Sequence, residues 1–187
     1  INITITIFGE TQTGASISRS GAKNGDLLFV SGFLGLSKIG LDNFNKKSNH
    51  LSIAQKKYLI PQPRVSLGLV LNNLVNSMID ISDGLIQDAT HLAVNSGLCI
   101  HLDLDKIPIP HIENVTNNLL LESALYGGDD YELLFSCNQD QEQLIKKISK
   151  EVNIKITKIG NFDIYEDKFL KFKNNSEIPK NKSYLHF

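Results

Sequence analysis

The stretch Ser77-Met78-Ile79-Asp80-Ile81-Ser82-Asp83-Gly84-Leu85 constrains this chain more than any other. Ile79 and Ile81 alternate with Asp80 and Ser82, the period-2 pattern of a strand with one buried face. From Leu85 the period lengthens: Leu85, Ile86, Ala89, Leu92 and Ala93 fall at helical spacing, and Gly97 supplies a stop. Asp80 and Asp83 therefore flank a strand-to-helix junction, where free backbone N–H groups carry partial positive charge. Capping accounts for Ser82 or Asp83, since both are preferred N-cap residues. It does not account for Asp80, which sits earlier, on the strand. Mg²⁺ bridging carboxylates and phosphate oxygens would explain the pair. On spacing alone that reading and capping plus a solvated Asp are evenly matched.

A chain of 187 residues can bury one good core, or one domain and a fragment of another. Nineteen basic against 20 acidic residues leave a net charge of −1, which argues against nucleic acid or an acidic membrane as partner. No apolar run has transmembrane length, and no charged-then-apolar leader opens the chain. Cys99 and Cys137 lie in apolar strand-like runs, which suggests buried free thiols and a cytoplasmic location. The chain begins Ile1-Asn2-Ile3-Thr4 and its one methionine is Met78, so a processed, cleaved or partial chain is expected. Ile1, Ile3, Ile5 and Ile7 alternate with polar residues as a half-buried strand would, with its hairpin partner expected upstream.

Asn24-Gly25 marks a turn before a buried strand at Leu27–Val30. Arg19, among small residues, could fork onto a phosphate, although on spacing alone a surface Arg in a polar loop explains it better. Gly32, Gly35 and Gly40 form neither a P-loop nor a dinucleotide fingerprint. Asp42 to Lys57 reads as a polar loop and a short helix, and Pro63 as the start of a helix carrying Val65, Leu69 and Leu74. In the strand 98–105, Leu98, Ile100, Leu102 and Leu104 face inward, with Cys99, His101, Asp103 and Asp105 on a solvated face. Residues 119–125 read as a helix. Residues 139–152 read as an amphipathic helix, with Leu144, Ile145, Ile148 and Val152 inward. Residues 154–159 and 169–172 are the last strand candidates.

The second unusual cluster is Gly127-Gly128-Asp129-Asp130-Tyr131-Glu132-Leu133. Two glycines permit a tight turn or a close approach. Three acids within four positions repel one another, and a cation or cationic ligand would explain them better than a solvated turn. Tyr131, Leu133 and Phe135 would share one face of the strand that follows.

These two clusters together resemble the thiamine-monophosphate kinase family, within the aminoimidazole ribonucleotide synthetase superfamily. Arg19-Ser20-Gly21-Ala22, Gly25-Asp26, Pro61, Pro63-Arg64 and Tyr184-Leu185-His186-Phe187 match family stretches in the same order. The resemblance implies an α+β fold, the C-terminal domain of the superfamily, with a mixed sheet and packed helices over residues 11–187. Residues 1–10 would be the last strand of an N-terminal domain outside this sequence. It implies ATP-dependent phosphorylation of thiamine monophosphate to thiamine diphosphate, with Mg²⁺ and ATP as cofactors. Asp80 and Asp83 would hold Mg²⁺, Ser82 and Arg19 would contact ATP, and Asp129 and Tyr184 would contact thiamine monophosphate. Asp129 stands where the family usually has Glu, and Ser183 where it usually has Gly. The family's N-terminal domain supplies further carboxylates and a dimer-forming sheet. A homodimer is therefore expected of the complete protein, and little activity of this chain alone. The alternatives are another ATP-dependent member of the superfamily and a non-catalytic nucleotide-binding remnant.

Overall fold

The computed structural model describes residues 3–11, 16–46 and 52–173. Six strands form one mixed sheet: β1 (Leu27–Ser31), β2 (Ser77–Asp80), β3 (Leu98–Asp103), β4 (Leu133–Cys137), β5 (Ile156–Ile164) and β6 (Leu170–Lys173). Their spatial order is β2-β4-β1-β5-β3-β6, antiparallel throughout except where β3 meets β6. Six α-helices accompany the sheet: α1 (Leu36–Asp42), α2 (Ser52–Leu59), α3 (Val65–Leu71), α4 (Leu85–Ser96), α5 (Asn117–Tyr126) and α6 (Glu142–Glu151).

Strand β1, Leu-Leu-Phe-Val-Ser, is buried along its whole length because helices cover both faces of the sheet. Its alternation sorts the core. Leu28 and Val30 join Leu85, Leu92 and Ala124 of α4 and α5 on one face. Leu27 and Phe29 join Leu67, Leu71, Ile145 and Ile148 of α3 and α6 on the other. Phe29 stands opposite Phe135 on β4, and their rings stack with centroids 5.7 Å apart. A smaller cluster of Ile39, Ala54, Ile112 and Leu120 ties α1 and α2 to α5.

Apart from the N-terminal strand, the expected strands and helices form, and both cysteines are buried free thiols. Several boundaries and faces differ. The face of β3 expected to be solvated is partly closed: Cys99 is fully buried and Asp103 nearly so, on a strand flanked by β5 and β6. That strand ends at Asp103, and Leu104–Lys106 turns as a short 3₁₀ helix. In α3 the inward residues are Leu67 and Leu71, while Val65 and Leu69 face out. Leu144 on α6 is likewise exposed. Tyr131 has φ 48° and lies in the turn rather than on β4. Residues 3–11 lie in no strand, and Ile3, Ile5 and Ile7 are exposed, since none of the described residues supplies a ladder partner. Among the described residues no helix is long and apolar enough to cross a membrane.

Candidate active site

The two clusters singled out in the sequence, 45 positions apart at Ser82 and Gly127, fold against one another. Strand β2 ends at Asp80, and the chain then turns through Ile81, Ser82 and Asp83 into α4. The Ile81 N–H donates to the Glu132 carbonyl at 2.8 Å, and the Ile81 carbonyl accepts from the Tyr131 N–H at 2.8 Å. The Ser82 carbonyl accepts from the Asp129 N–H at 3.0 Å. This contact needs glycine at position 128, where a Cβ would lie 2.2 Å from the Ser82 carbonyl oxygen. Gly84 meets two demands, a φ of 110° and a Cβ position only 3.0 Å from the Tyr126 carbonyl carbon.

Neither Ser82 nor Asp83 caps α4. The N-cap is Gly84, with no side-chain cap, and the Asp88 carboxylate accepts the Ser82 and Asp83 N–H groups at 3.1 Å each. A residue one turn inside the helix thus satisfies the orphan donors of the junction. The Asp83 carboxylate, relieved of capping, accepts from Gln87 Nε2 at 3.1 Å. Asp80 is exposed at the strand end. Burial pushes the Asp88 carboxyl up to about 6, reinforced by the charges of Asp83 and Asp80 and opposed by the two N–H donors.

The acidic turn divides into three roles. Asp130, fully buried, accepts the Gly35 and Ser37 N–H groups at 2.6 and 3.2 Å and so anchors the start of α1. Burial pushes its carboxyl up to about 6 against those two donors. Glu132, 1% exposed, accepts from Ser31 Oγ at 2.6 Å, Lys57 Nζ at 2.7 Å, and Arg64 Nε and Nη2 at 2.7 Å each. Burial alone would raise the Glu132 carboxyl, but these donors hold it below the usual carboxylate range. The expectation that a bound cation explains all three acids is therefore corrected: protein groups balance two of them. Asp129 is the one left facing open space. Its φ is 64°, its carbonyl accepts from Ser37 Oγ at 2.8 Å, and its Oδ1 accepts from the Tyr131 hydroxyl at 3.0 Å. Burial, then Asp129, raises the Tyr131 phenol, with Asp80 and Asp83 adding to the shift.

Asp129 and Ser82 line a cleft of about 760 Å³ together with Lys38 of α1, Tyr58 of α2, and Glu122 and Tyr126 of α5. Arg19 is exposed in a segment that runs beside β2, where the Met78 N–H donates to the Ser18 carbonyl at 2.9 Å. It is on the same sheet edge as Asp80 but does not line the cleft. Tyr184 lies outside the described residues. Asp83, Asp88 and His91 present ligand atoms within 4.8 Å of one another. Asp80 is outside that set, although its charge reaches Asp88. Carboxylate oxygens suit a hard cation such as Mg²⁺, so the donor chemistry fits.

Asp88, His91 and the Glu132 ion cluster escape a reading by motif. Asp88 and His91 stand three apart on α4, one and two turns beyond Asp83, and that spacing was their available signal. Nothing local pairs Glu132 with Lys57 and Arg64, which lie 75 and 68 positions away.

Residues 23–163 match the family model described as AIR synthase related protein, C-terminal domain. Over 195 aligned residues the chain is 36% identical to the thiamine-monophosphate kinase of Buchnera aphidicola subsp. Acyrthosiphon pisum, covering 100% of this chain and 60% of that protein. The chain thus spans somewhat more than half the length of such relatives. Among solved structures, thiamine-monophosphate kinase from Stenotrophomonas maltophilia K279a superposes with a TM-score of 0.81 at 29% identity, covering 87% of this chain and 54% of that one. A structure described as AaThiL complexed with AMPPCP and TMP gives 0.76 at 29% identity, over 91% and 54%. With its match over most of its length and a mixed sheet shared with these structures, the chain belongs to the AIR synthase related C-terminal domain family.

Proposed function

We propose that this chain forms the C-terminal part of a thiamine-monophosphate kinase, which transfers the γ-phosphoryl group of ATP to the phosphate of thiamine monophosphate. The observation that carries the reading is the interlock of the two motif turns, with Asp129 N–H on the Ser82 carbonyl at 3.0 Å and both residues lining a ligand-sized cleft. A relative of the same fold, described as complexed with AMPPCP and TMP, supports both ligands.

In this reading Asp80 and Asp83 hold Mg²⁺, which when bound would neutralise charge on the β- and γ-phosphate oxygens. Asp88 fixes the backbone of the turn that aims Asp83, through its bonds to the Ser82 and Asp83 N–H groups. Ser82 and Arg19 contact the nucleotide, Arg19 from the segment beside β2. Asp129 faces the thiazolium charge, and Tyr184 joins it from the chain's end. The acceptor is a phosphate already ionised at neutral pH, so no strong general base is required. The rest of such an enzyme, in an N-terminal domain, would supply further carboxylates and a homodimer interface, and this chain by itself would turn over little. Two buried free thiols suit a cytoplasmic enzyme.

The test is direct. The protein that carries this chain, given ATP, Mg²⁺ and thiamine monophosphate, should release thiamine diphosphate and ADP. Absence of the diphosphate, or equal use of unphosphorylated thiamine, would overturn the assignment.

A further inference from the structure

Among the described residues the charges of the cleft do not balance. Of the described side chains that line it, Lys38 is the one cation, and it is ion-paired with Asp42 across one turn of α1. Glu122 and Asp129 also line it, and Glu122 makes no hydrogen bond or ion pair among the described residues. Tyr126 stands four positions after Glu122, on the same side of α5, and also lines the cleft. Burial raises its phenol, and the Glu122 charge raises it further. Tyr58 enters from α2 with its ring held edge-on against Phe44, centroids 6.2 Å apart.

We propose that Glu122, with Tyr58 and Tyr126, selects a cationic aromatic ring in this cleft, a specificity role outside both sequence motifs. This rests on the thiamine-phosphate reading and extends it. A cation is favoured over ring faces and beside a carboxylate in a partly desolvated cleft. A neutral purine would gain nothing from Glu122, and a triphosphate would be repelled by it. The arrangement therefore also sets direction. Ser82 and Asp129 lie where the cleft adjoins the Asp80–Asp83 junction, so a ring held by Glu122 places its phosphate arm toward the junction.

The experiment uses the protein that carries this chain, with Glu122→Gln and Glu122→Asp. Steady-state kinetics are measured with thiamine monophosphate and ATP, and equilibrium dialysis with thiamine and its uncharged 3-deaza isostere. Glu122→Gln should raise the KM for thiamine monophosphate about tenfold, equivalent to ~1.4 kcal/mol, with kcat, the KM for ATP and the melting temperature unchanged. The parent protein should bind thiamine more tightly than the isostere. Glu122→Gln should weaken that preference, leaving the part that Asp129 supplies, and Glu122→Asp should keep it, which a merely structural role would not produce. An unchanged KM for thiamine monophosphate, an equal rise in both KM values, or a preference undiminished by Glu122→Gln would overturn the proposal and leave the thiamine reading standing. A parent protein that turns over no thiamine monophosphate would overturn both.

Discussion

Replacing Glu132 by Gln should destabilise this protein more than almost any other change of one functional group. The amide keeps the size and one acceptor oxygen but removes the charge that balances Lys57 and Arg64. In the folded protein the carboxylate takes four hydrogen bonds, between 2.6 and 2.7 Å, at 1% exposure. Removing one partner of a buried ion pair costs about 3–5 kcal/mol. The Lys57 and Arg64 side chains retain 13% and 23% exposure and can rehydrate in part, which places the loss near the low end, ~3 kcal/mol. That is a large share of a total stability of roughly 5–15 kcal/mol. It corresponds to a fall in melting temperature of about 6–12 °C for a domain of this size. Urea unfolding followed by circular dichroism at pH 7 should show a lower midpoint at unchanged slope. The sign of the pH effect follows from the depressed Glu132 carboxyl. Its stabilisation is present above the unfolded glutamate value and is lost as pH falls through the folded one, so the two proteins should converge in acid. A loss under about 1 kcal/mol, the range of exposed pairs, or a gap that stays constant with pH, would refute the reasoning.

Two further perturbations probe the junction and its support. Gly128→Ala puts a methyl group 2.2 Å from the Ser82 carbonyl oxygen and should cost about 1–3 kcal/mol as the turns are forced apart. Turnover of thiamine monophosphate should fall far more than the melting temperature, and an active enzyme with normal kcat/KM would contradict the interlock. Asp130 gives the opposite pH trend from Glu132. Its folded value of about 6 lies above the ordinary 3.8, so the native state holds the proton more tightly and stability falls as pH rises through that window. Urea midpoints between those two pH values should therefore be flatter for Asp130→Asn, and an identical slope would count against a buried, proton-retaining Asp130.

Pattern carried the fold a long way because burial imposes periods that residues display. The continuous apolar run of Leu27–Val30, the break in period at Leu85 and the stop at Gly97 all reappear in the structure. It misled where both faces of an element are covered or neither is. Cys99 is fully buried, between β5 and β6, on a face that reads as solvated, and Ile3, Ile5 and Ile7 alternate without meeting a partner among the described residues. Helix α1 has no signal in the sequence pattern, where Gly35 and Gly40 interrupt the run and match no glycine motif. The anchor at its start comes from Asp130, whose distance in sequence hides it. For the site, the two motif turns are legible as local sequence, and the hydrogen bonds joining Ile81 and Ser82 to Glu132, Tyr131 and Asp129 bring them together. What stayed hidden was the division of labour among adjacent acids. Asp129, Asp130 and Glu132 look alike in a string, and only three dimensions separate the one in the cleft from the two committed to N–H groups and to Arg64.

The central claim, that the Asp80–Asp83 junction works on phosphates through a bound cation, rests most directly on Asp83→Asn. Gly84 is the N-cap of α4 and Asp88 satisfies the junction's N–H groups, so the substitution leaves the helix start intact. Asn preserves shape but is a much weaker ligand for Mg²⁺. In the protein that carries this chain, conversion of thiamine monophosphate to the diphosphate should collapse at ordinary Mg²⁺, with the melting temperature and circular dichroism of the parent. Full turnover by Asp83→Asn under the same conditions would contradict the account.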